Sequence, residues 1–399
     1  MEPGVKRKGP LGLAKQLDVL VKPQPVEYSQ VLSQSSLFTS LFKSQIVTTF
    51  VRWDAFYFVH IAEEGYIYEQ EYAFFPMLPF LMKGISATDH KSILVLSGII
   101  ISNVSFALAT ATLYHLSYSI FKKERFALIS ALCFCFTPSC MFMSSMYTES
   151  LFALLTFVGM DLYIHRWFWS AAIVWSFSTL TRSNGVVYVG FFIFDLCIKN
   201  RSSSAVVYMT QVLKAMALSL VTFLGMASFQ MYGYLNYCAN TSQPRPWCQA
   251  RIPLLYSFVQ EEYWNCGLFR YYEWKQLPNF LLAAPMVLLS FCGIWSYAAH
   301  DLLRFFSVGI LKATREEALL PFIYLWGVLL VYCTLAMHIQ VITRFFSCMP
   351  TVYWFAAHLL AQDTDNSKRK RVASQIVLFY FITYGLVGIV LFSNFFPPA

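Results

Sequence analysis

Charged residues are scarce in this chain of 399 residues. Asp, Glu, Lys and Arg together make up 13% of it, whereas soluble domains typically carry about 25%. Apolar residues are abundant: 57% of the chain is hydrophobic, 18% is aromatic, and the mean hydropathy is +0.53. The composition therefore excludes an ordinary soluble globule, and it excludes an intrinsically disordered chain, which lacks apolar surface to bury. It predicts a membrane protein.

The positive charge does not form a single basic surface. The formal net charge is +8, but a nucleic-acid-binding protein needs its Lys and Arg in one accessible stripe. Here these residues lie in short clusters between apolar runs. Such clusters are typical of the cytosolic loops of membrane proteins, so nucleic acid is not an expected partner.

The apolar runs predict an all-α polytopic membrane protein, a bundle of about ten transmembrane helices. A spanning helix needs about 20 mostly apolar residues. The segment 73–82 contains two prolines and is too short to span, so we expect it to be re-entrant or interfacial; two half-helices could flank Gly185. The predicted spans are 93–119, 126–146, 149–164, 167–181, 185–198, 207–234, 277–298, 319–338, 342–360 and 374–396.

The short loops alternate in charge, which predicts their orientation. Those rich in Lys and Arg are expected on the cytosolic side. The other side then receives 45–91, a first lumenal loop or surface helix, and a long lumenal loop at 235–276. We expect 1–35 to be a basic, poorly ordered tail, too polar to cross, and 36–399 to form one transmembrane domain. The carboxylates and aromatics of the lumenal loops suit a sugar or a polar headgroup, although an interfacial aromatic belt is the alternative.

Cysteine residues and acidic clusters indicate no metal site. Cys238, Cys248 and Cys266 share the long loop, so one disulfide could form there with one thiol left over. Asn240 begins a glycosylation acceptor pattern in the same loop. The Asp-Thr-Asp at 363–365 lies in a polar run between two spans and is interpreted as a solvated loop. His60 lies near Glu63 and Glu64, but no second His or Cys cluster completes a ligand set.

The segment 50–68, FVRWDAFYFVHIAEEGYIY, carries the first candidate for chemistry. At helical spacing Asp54 shares an apolar face with Tyr57 and Phe58, and Gly65 stands where a helix would end. A carboxylate in such a place is a candidate general base. The alternative is an Asp held by Arg52 or by backbone donors.

A second group of polar residues lies at the predicted non-cytosolic ends of spans. Arg182 and Asn184 occur in TRSNG, and His338, Gln340 and Arg344 occur in HIQVITRFF. The forked guanidinium of arginine can bind two phosphate oxygens at once. These residues are therefore candidates for binding a phosphate, with anchoring to lipid headgroups as the alternative.

Five blocks in register resemble the GPI mannosyltransferase II (PIG-V type) family. They are RWDAFYFVHIAEEGYIYEQEYAFFPMLP, MYTESLFALLTF, TRSNG, the run from 247 to 285, and HIQVITRFFSCMPTVYWFAAHLL. The resemblance covers roughly residues 50–399. It implies a GT-C-like transferase of the endoplasmic reticulum membrane with a lumenal active site. Its reaction would add the second, α-1,6-linked mannose to the GPI anchor precursor from dolichyl-phosphate-mannose.

The resemblance also implies roles for individual residues. Trp53 and Asp54 match the functional Trp-Asp pair of the family, with Asp54 as general base of an inverting single displacement that requires no metal or other cofactor. The substrates would be two lipids in the membrane, the mannose donor and the mono-mannosylated precursor; fungal members work with a small membrane partner subunit. The further residues implied in substrate binding are Glu64, Tyr66, Glu69, Glu149, Arg182, Asn184, His338, Gln340 and Arg344.

Three other functions remain open from the sequence. Another GT-C glycosyltransferase would share this architecture and base, and a non-catalytic glycosylation subunit would keep the spans without needing Asp54. A polytopic transporter or scramblase would place charges along a pathway and often shows inverted repeats. No repeat is visible between the two halves, and the charges gather on one face, which disfavours transport.

Overall fold

A computed structural model describes residues 49–87, 91–239, 245–310, 318–361 and 368–396. The predicted basic tail at 1–35, the acceptor pattern at Asn240 and the Asp-Thr-Asp at 363–365 lie outside the described residues. Within these ranges the chain forms helices and turns and no β-strand. The all-α prediction is therefore confirmed for the described part of the chain.

The α-helices are numbered in chain order. They are α1 (Ala55–Glu64), α2 (Met77–Ser86), α3 (Lys91–Phe121), α4 (Glu124–Cys135), α5 (Cys140–Ser144), α6 (Glu149–Ile164), α7 (Phe168–Thr179), α8 (Val189–Ile193), α9 (Ala205–Tyr234), α10 (Leu255–Glu262), α11 (Leu277–Ala298), α12 (Leu302–Phe306), α13 (Leu320–Ala336), α14 (Ile342–Phe346), α15 (Pro350–Ala361) and α16 (Lys368–Ser393). Short 3₁₀ turns cover Glu69–Ala73, Ser183–Tyr188, Pro246–Gln249, Trp274–Gln276 and Ile339–Val341, and π-helical turns cover Phe194–Lys199 and Leu235–Ala239.

Four helices of the described chain are long and apolar enough to cross a bilayer: α3, α9, α11 and α16. They match four of the predicted spans. Less than half of each apolar window is buried inside the protein, and large apolar side chains such as Leu220 and Phe379 point outward. Outward apolar surface on long helices is expected where the surrounding solvent is lipid.

Two of the predicted spans are divided at prolines. The span 126–146 divides into α4 and α5, because Pro138 lies in the intervening turn and cannot continue a helix. The span 342–360 divides into α14 and α15, and Pro350 is the first residue of α15, a position that suits proline. The second break directly follows Arg344 and Phe345, which line the cavity described below.

Shorter helical pieces lie between the long helices. The prolines before and within α2 accompany a ten-residue helix, too short to cross, as predicted for 73–82. Helical structure is interrupted at 180–182. It resumes in a 3₁₀ turn, followed by α8 and a π-helical turn that ends at Lys199. Irregular helical backbone of this kind often marks functional sites.

Close helix packing fixes the relative positions of these pieces. α3 packs along α6, and α7 packs along α9. A Cβ at Gly159 of α6 would lie 2.1 Å from the indole nitrogen of Trp175, which is fully buried. The beginning of α1, the beginning of α6, the segment after α7 and the segment after α13 thereby meet at one end of the bundle.

Candidate functional site

A cavity of about 300 Å³ lies where these four segments meet, at the lower limit of the usual range for ligand pockets, about 300–1,000 Å³. Its wall combines charged, amide and aromatic side chains. The residues lining it include Asp54, Phe58, Phe74, Phe75, Thr148, Arg182, Ser183, Asn184, Tyr256, Gln260, Trp264, Cys266, His338, Gln340, Arg344 and Phe345.

Four charged side chains form a continuous chain of ion pairs at this cavity. Arg344 Nη1 donates to Asp54 Oδ2 at 3.0 Å, and Arg344 Nε donates to Glu149 Oε1 at 2.6 Å. Arg182 Nη1 reaches the same Glu149 oxygen at 2.7 Å. Glu149 is fully buried, whereas Asp54 keeps 31% of its side-chain surface exposed. Two carboxylates therefore balance two guanidinium groups, and Asp54 is the carboxylate that an entering molecule can reach.

Local structure explains why these groups meet. Glu149 is the first residue of α6, where the helix dipole favours a carboxylate. Asp54 directly precedes α1, and the hydroxyl of Tyr147 holds this segment, accepting from the Asp54 backbone N–H at 3.2 Å and donating to the Arg52 carbonyl at 2.8 Å. Arg344 is brought close by the short helix α14.

Arg52 is not the partner of Asp54. Its guanidinium lies 4.0 Å from the centre of the Phe395 ring and donates to the Ser393 carbonyl at 3.3 Å. The carboxylate of Asp54 binds a residue 290 positions away instead. Of the two alternatives considered for Asp54, pairing with its near neighbour Arg52 is therefore wrong.

The neutral polar residues of the cavity differ in how they are held. His338 Nε2 lies 2.7 Å from the Trp264 carbonyl, and its ring stacks on Tyr271 at 4.5 Å. Gln340 Oε1 accepts from the Tyr271 hydroxyl at 2.5 Å. Asn184 is 6% exposed, and neither its Oδ1 nor its Nδ2 has a hydrogen-bond partner in the described structure.

The long loop covers the cavity and is fastened by Glu69. This buried carboxylate accepts from Arg245 Nη2 at 2.6 Å, from Trp247 Nε1 at 2.9 Å and from the Tyr263 hydroxyl at 2.9 Å. Burial, followed by the charge of Glu69, raises the pKa of Tyr263 to about 12. The structure thus places Glu69 behind the cavity wall, where it holds the loop that contributes Trp264.

A disulfide closes the first part of the long loop, ahead of the residues that line the cavity. It joins Cys238 to Cys248, and Cys266 is free and lines the cavity. One disulfide with one remaining thiol was the arrangement considered from the sequence, and the structure specifies the pair.

Three residues implied by the family resemblance lie away from this cavity. Trp53 has a positive φ of 53°, uncommon for a bulky residue, and its exposed ring lies 6.3 Å from that of Phe395. Glu64 and Tyr66 line a separate, largely apolar groove between α2 and α9. The structure gathers seven of the eleven site residues around the cavity and places Glu69 and these three elsewhere. Six of the seven line it: Asp54, Arg182, Asn184, His338, Gln340 and Arg344; the seventh, Glu149, lies directly behind two of them.

Aromatic residues outside the predicted set of site residues complete the wall. Phe58 and Phe74 pack edge to face at 5.5 Å, Phe74 contacts Trp264 at 5.9 Å, and Phe345 lies 5.1 Å below the Arg182 guanidinium. The richness of aromatics in the predicted lumenal loops was the available signal, but it did not distinguish these rings from an interfacial belt.

Solved structures resemble this chain only weakly. Two structures of the oligosaccharyltransferase from Archaeoglobus fulgidus align at TM-scores of 0.45 and 0.49, with 12% and 13% sequence identity. They cover 90% and 89% of this chain, and the chain spans 56% and 52% of theirs. The chain thus spans about half the length of those proteins.

Curated sequences resemble it far more closely. Mouse GPI alpha-1,6-mannosyltransferase 2 is 33% identical, with 87% of each chain covered, and the human protein of that name is 31% identical over 94% of this chain and 93% of its own. GPI mannosyltransferase 2 of Schizosaccharomyces pombe is 32% identical over 92% of this chain and 76% of its own. A family model described as mannosyltransferase (PIG-V) matches residues 16–399. The chain therefore belongs to the PIG-V mannosyltransferase family.

Proposed function

We propose that this protein transfers mannose from dolichyl-phosphate-mannose to the mono-mannosylated GPI precursor, forming the second, α-1,6-linked mannose at the lumenal face of the endoplasmic reticulum membrane. Two observations support this assignment. The mouse and human relatives are named as GPI alpha-1,6-mannosyltransferases. The cavity presents a reachable carboxylate, Asp54, opposite two guanidinium groups that could hold a phosphate.

The chemistry requires one base. The 6-hydroxyl oxygen of the acceptor attacks the anomeric carbon of the donor mannose, and its proton passes to Asp54. The bond between that carbon and the phosphate oxygen breaks, and the electron pair leaves with dolichyl phosphate. The β-linked donor gives an α-linked product, so one displacement with inversion suffices, and no carboxylate nucleophile is needed as in a retaining glycosidase. A positioned base contributes about 10² to 10⁴ in rate.

The arginines would stabilise the departing phosphate. Arginine donates five N–H groups in a fork, and Arg344 uses Nε and Nη1 to bind Glu149 and Asp54. Preorganised donors of this kind stabilise charge as it develops on a leaving group. Glu149 binds both guanidinium groups through one oxygen and so fixes their separation.

Complementation tests the assignment. Cells that accumulate a GPI intermediate with one mannose should form the two-mannose species when they express this chain, as scored by lipid analysis, and digestion with an α-1,6-specific mannosidase should remove the new mannose. Cells carrying an empty vector are the control. Persistence of the one-mannose species, with the protein present in the membrane, would contradict the proposal.

A second assay tests the donor. Detergent-solubilised protein is given the one-mannose acceptor together with mannose-labelled dolichyl-phosphate-mannose or labelled nucleotide-activated mannose. Label should enter the product from the lipid-linked donor. Transfer from the nucleotide-linked donor in the absence of dolichyl phosphate would contradict the donor assignment.

A further inference from the structure

Asn184 stands apart from the other polar side chains around the cavity. Asp54, Arg182, His338 and Gln340 each have a partner within the protein. Asn184 lines the same cavity and is 6% exposed, yet its amide oxygen and its amide nitrogen both lack a partner in the described part of the chain.

A buried amide without partners is uncommon. Buried polar groups in native proteins are hydrogen-bonded in the large majority of cases, because an unsatisfied donor or acceptor loses its hydration without compensation. The exceptions call for a specific explanation. Asn184 lines a cavity large enough for a ligand, so a rotation of its side chain would bring the amide to a molecule that enters, and that molecule can provide the missing hydrogen bonds.

The backbone on both sides of Asn184 is held by hydrogen bonds, which fixes the place from which its side chain extends. The Arg182 N–H donates to the Ser178 carbonyl at 3.0 Å, and the Gly185 N–H donates to the Arg182 carbonyl at 3.1 Å. A Cβ at Gly185 would lie 3.0 Å from both Ser178 Oγ and Thr179 N. This close approach seats the turn that contains Asn184 against the end of α7.

The unmet groups identify the chemistry of the partner. The amide offers donors at one end and an acceptor at the other. A phosphate has no protons to give at neutral pH when it is a diester, so it would leave Oδ1 unpaired, and an ammonium group would leave Nδ2 unpaired. A hydroxyl both donates and accepts, and two neighbouring hydroxyls match both ends of an amide.

We propose that Asn184 is a specificity residue that binds two neighbouring hydroxyl groups of a mannose ring, accepting from one at Oδ1 and donating to the other from Nδ2. The arginines of the cavity would bind the phosphate of the donor, and Asn184 would recognise the hydroxyl pattern of the sugar. This inference rests on the proposed mannosyl transfer. The mannose can belong to the donor or to the acceptor, since both bring a pyranose to this site.

Deoxygenated substrates test this role. The wild-type protein and Asn184→Leu are assayed for kcat/KM with complete substrates, with a series of donors lacking one mannose hydroxyl each, and with a corresponding series of acceptors that all keep the reacting 6-hydroxyl. A site that binds a substrate hydroxyl rejects the analogue lacking it strongly. We expect wild type to discriminate against one or two analogues of one series by more than about 10-fold, and Asn184→Leu to lose that discrimination.

The comparison between the two proteins removes the intrinsic reactivity of each analogue. The series in which discrimination disappears identifies the sugar that Asn184 binds, and either result supports the proposal. Asn236→Ala is the matched control: the Asn236 amide donates to the Tyr72 hydroxyl at 3.0 Å and does not line the cavity. It should keep the wild-type pattern.

Failure of this inference and failure of the proposed function give different results. If Asn184→Leu keeps the wild-type discrimination in both series, Asn184 does not bind the sugar and the inference is overturned. If wild type fails to transfer mannose between the complete substrates, the proposed function itself fails. Asn184→Ala, which adds no bulk, repeats the comparison and decides it in the same way if Asn184→Leu does not accumulate.

Discussion

The two ends of the helix bundle pair carboxylates with basic groups in contrasting surroundings. At the cavity end, Glu149 is fully buried and its partners Arg182 and Arg344 are only 14% and 18% exposed. At the opposite end, Asp195 is also buried, but its partner Arg166 is 56% exposed.

The opposite end shows the same pattern at a second carboxylate. Asp161 pairs with His115 at 2.9 Å, and that histidine is 58% exposed. Water therefore solvates the basic partners at this end, and solvated ion pairs contribute little. At the cavity end both the carboxylate and its guanidinium partners are withdrawn from water, so removing one of them leaves the other buried and unpaired, which is costly. Burial of the cation, more than the ion pair itself, therefore distinguishes a candidate site from an ordinary surface contact.

The largest expected effect comes from removing the buried charge. Glu149→Gln leaves two enclosed guanidinium groups without their shared carboxylate, and breaking a buried pair typically costs about 3–5 kcal/mol. We expect a large loss of thermal stability in detergent and loss of mannosyl transfer. Asp195→Asn should be milder in both measurements, because Arg166 stays solvated. Equal effects of the two substitutions would remove the distinction between the ends.

The second prediction concerns how much the disulfide stabilises the long loop at the cavity end. Replacing Cys238 and Cys248 by Ser releases the closed loop, and disulfides typically contribute about 2–4 kcal/mol to stability. The double variant should unfold at lower temperature than wild type in a thermal scan. Cys292→Ser, at an exposed free cysteine of α11, is the control and should unfold like wild type. An unchanged unfolding temperature of the double variant would show that the loop is held by other contacts alone.

The next prediction concerns the forked geometry of the Arg344 side chain. Lysine at 344 can keep the charge but cannot reach Asp54 and Glu149 from two separate nitrogens as Arg344 does. Loss of one hydrogen bond to a charged group, about 1.5–3 kcal/mol, predicts a fall in transfer rate of about 10- to 100-fold. Arg166→Lys at the other end should keep nearly the wild-type rate. A fast Arg344→Lys enzyme would show that the paired contacts do not matter for transfer.

The smallest expected effect concerns pH. The contact in which His60 Nδ1 donates to Glu71 Oε1, 2.5 Å away, is the main cause that raises the pKa of His60 in the folded protein. Burial lowers this pKa, and the charges of Glu71, Glu64 and Glu63 raise it further. Because the folded pKa lies above the unfolded value, this contact stabilises fully below about pH 6.5 and is lost as the pH rises through the folded pKa.

Thermal unfolding of wild type and His60→Gln measures this contribution. Wild type should unfold at the higher temperature at pH 6, by about 2 °C or less, and the two should converge at alkaline pH. A difference that grows with rising pH would contradict the assignment to the Glu71 contact.

Much of this arrangement was accessible from the sequence, and the limits have physical causes. The apolar runs predicted the four long helices, and the alternation of Lys and Arg predicted which helix ends would gather Asp54, Arg182 and Arg344. Hydropathy does not report where a helix breaks, so the spans 126–146 and 342–360 were each predicted as one unit, although Pro138 and Pro350 lie where they divide.

Contacts between distant residues were a second limit. Glu149 lies 195 positions from Arg344, and no local spacing indicates that they pair. Family resemblance marked Glu69, Glu64, Tyr66 and Trp53 together with the cavity residues, but matching blocks cannot separate a side chain that lines a cavity from one that lies outside it.

The proposed mechanism depends most directly on Asp54. Initial rates of mannose transfer from dolichyl-phosphate-mannose to the one-mannose GPI acceptor should be compared for Asp54→Asn and Asp161→Asn, at equal amounts of protein in the membrane. We predict that Asp54→Asn lowers the rate by about 10²- to 10⁴-fold, whereas Asp161→Asn, at the opposite end, stays close to wild type. An Asp54→Asn protein as fast as Asp161→Asn would contradict the assignment of Asp54 as the base.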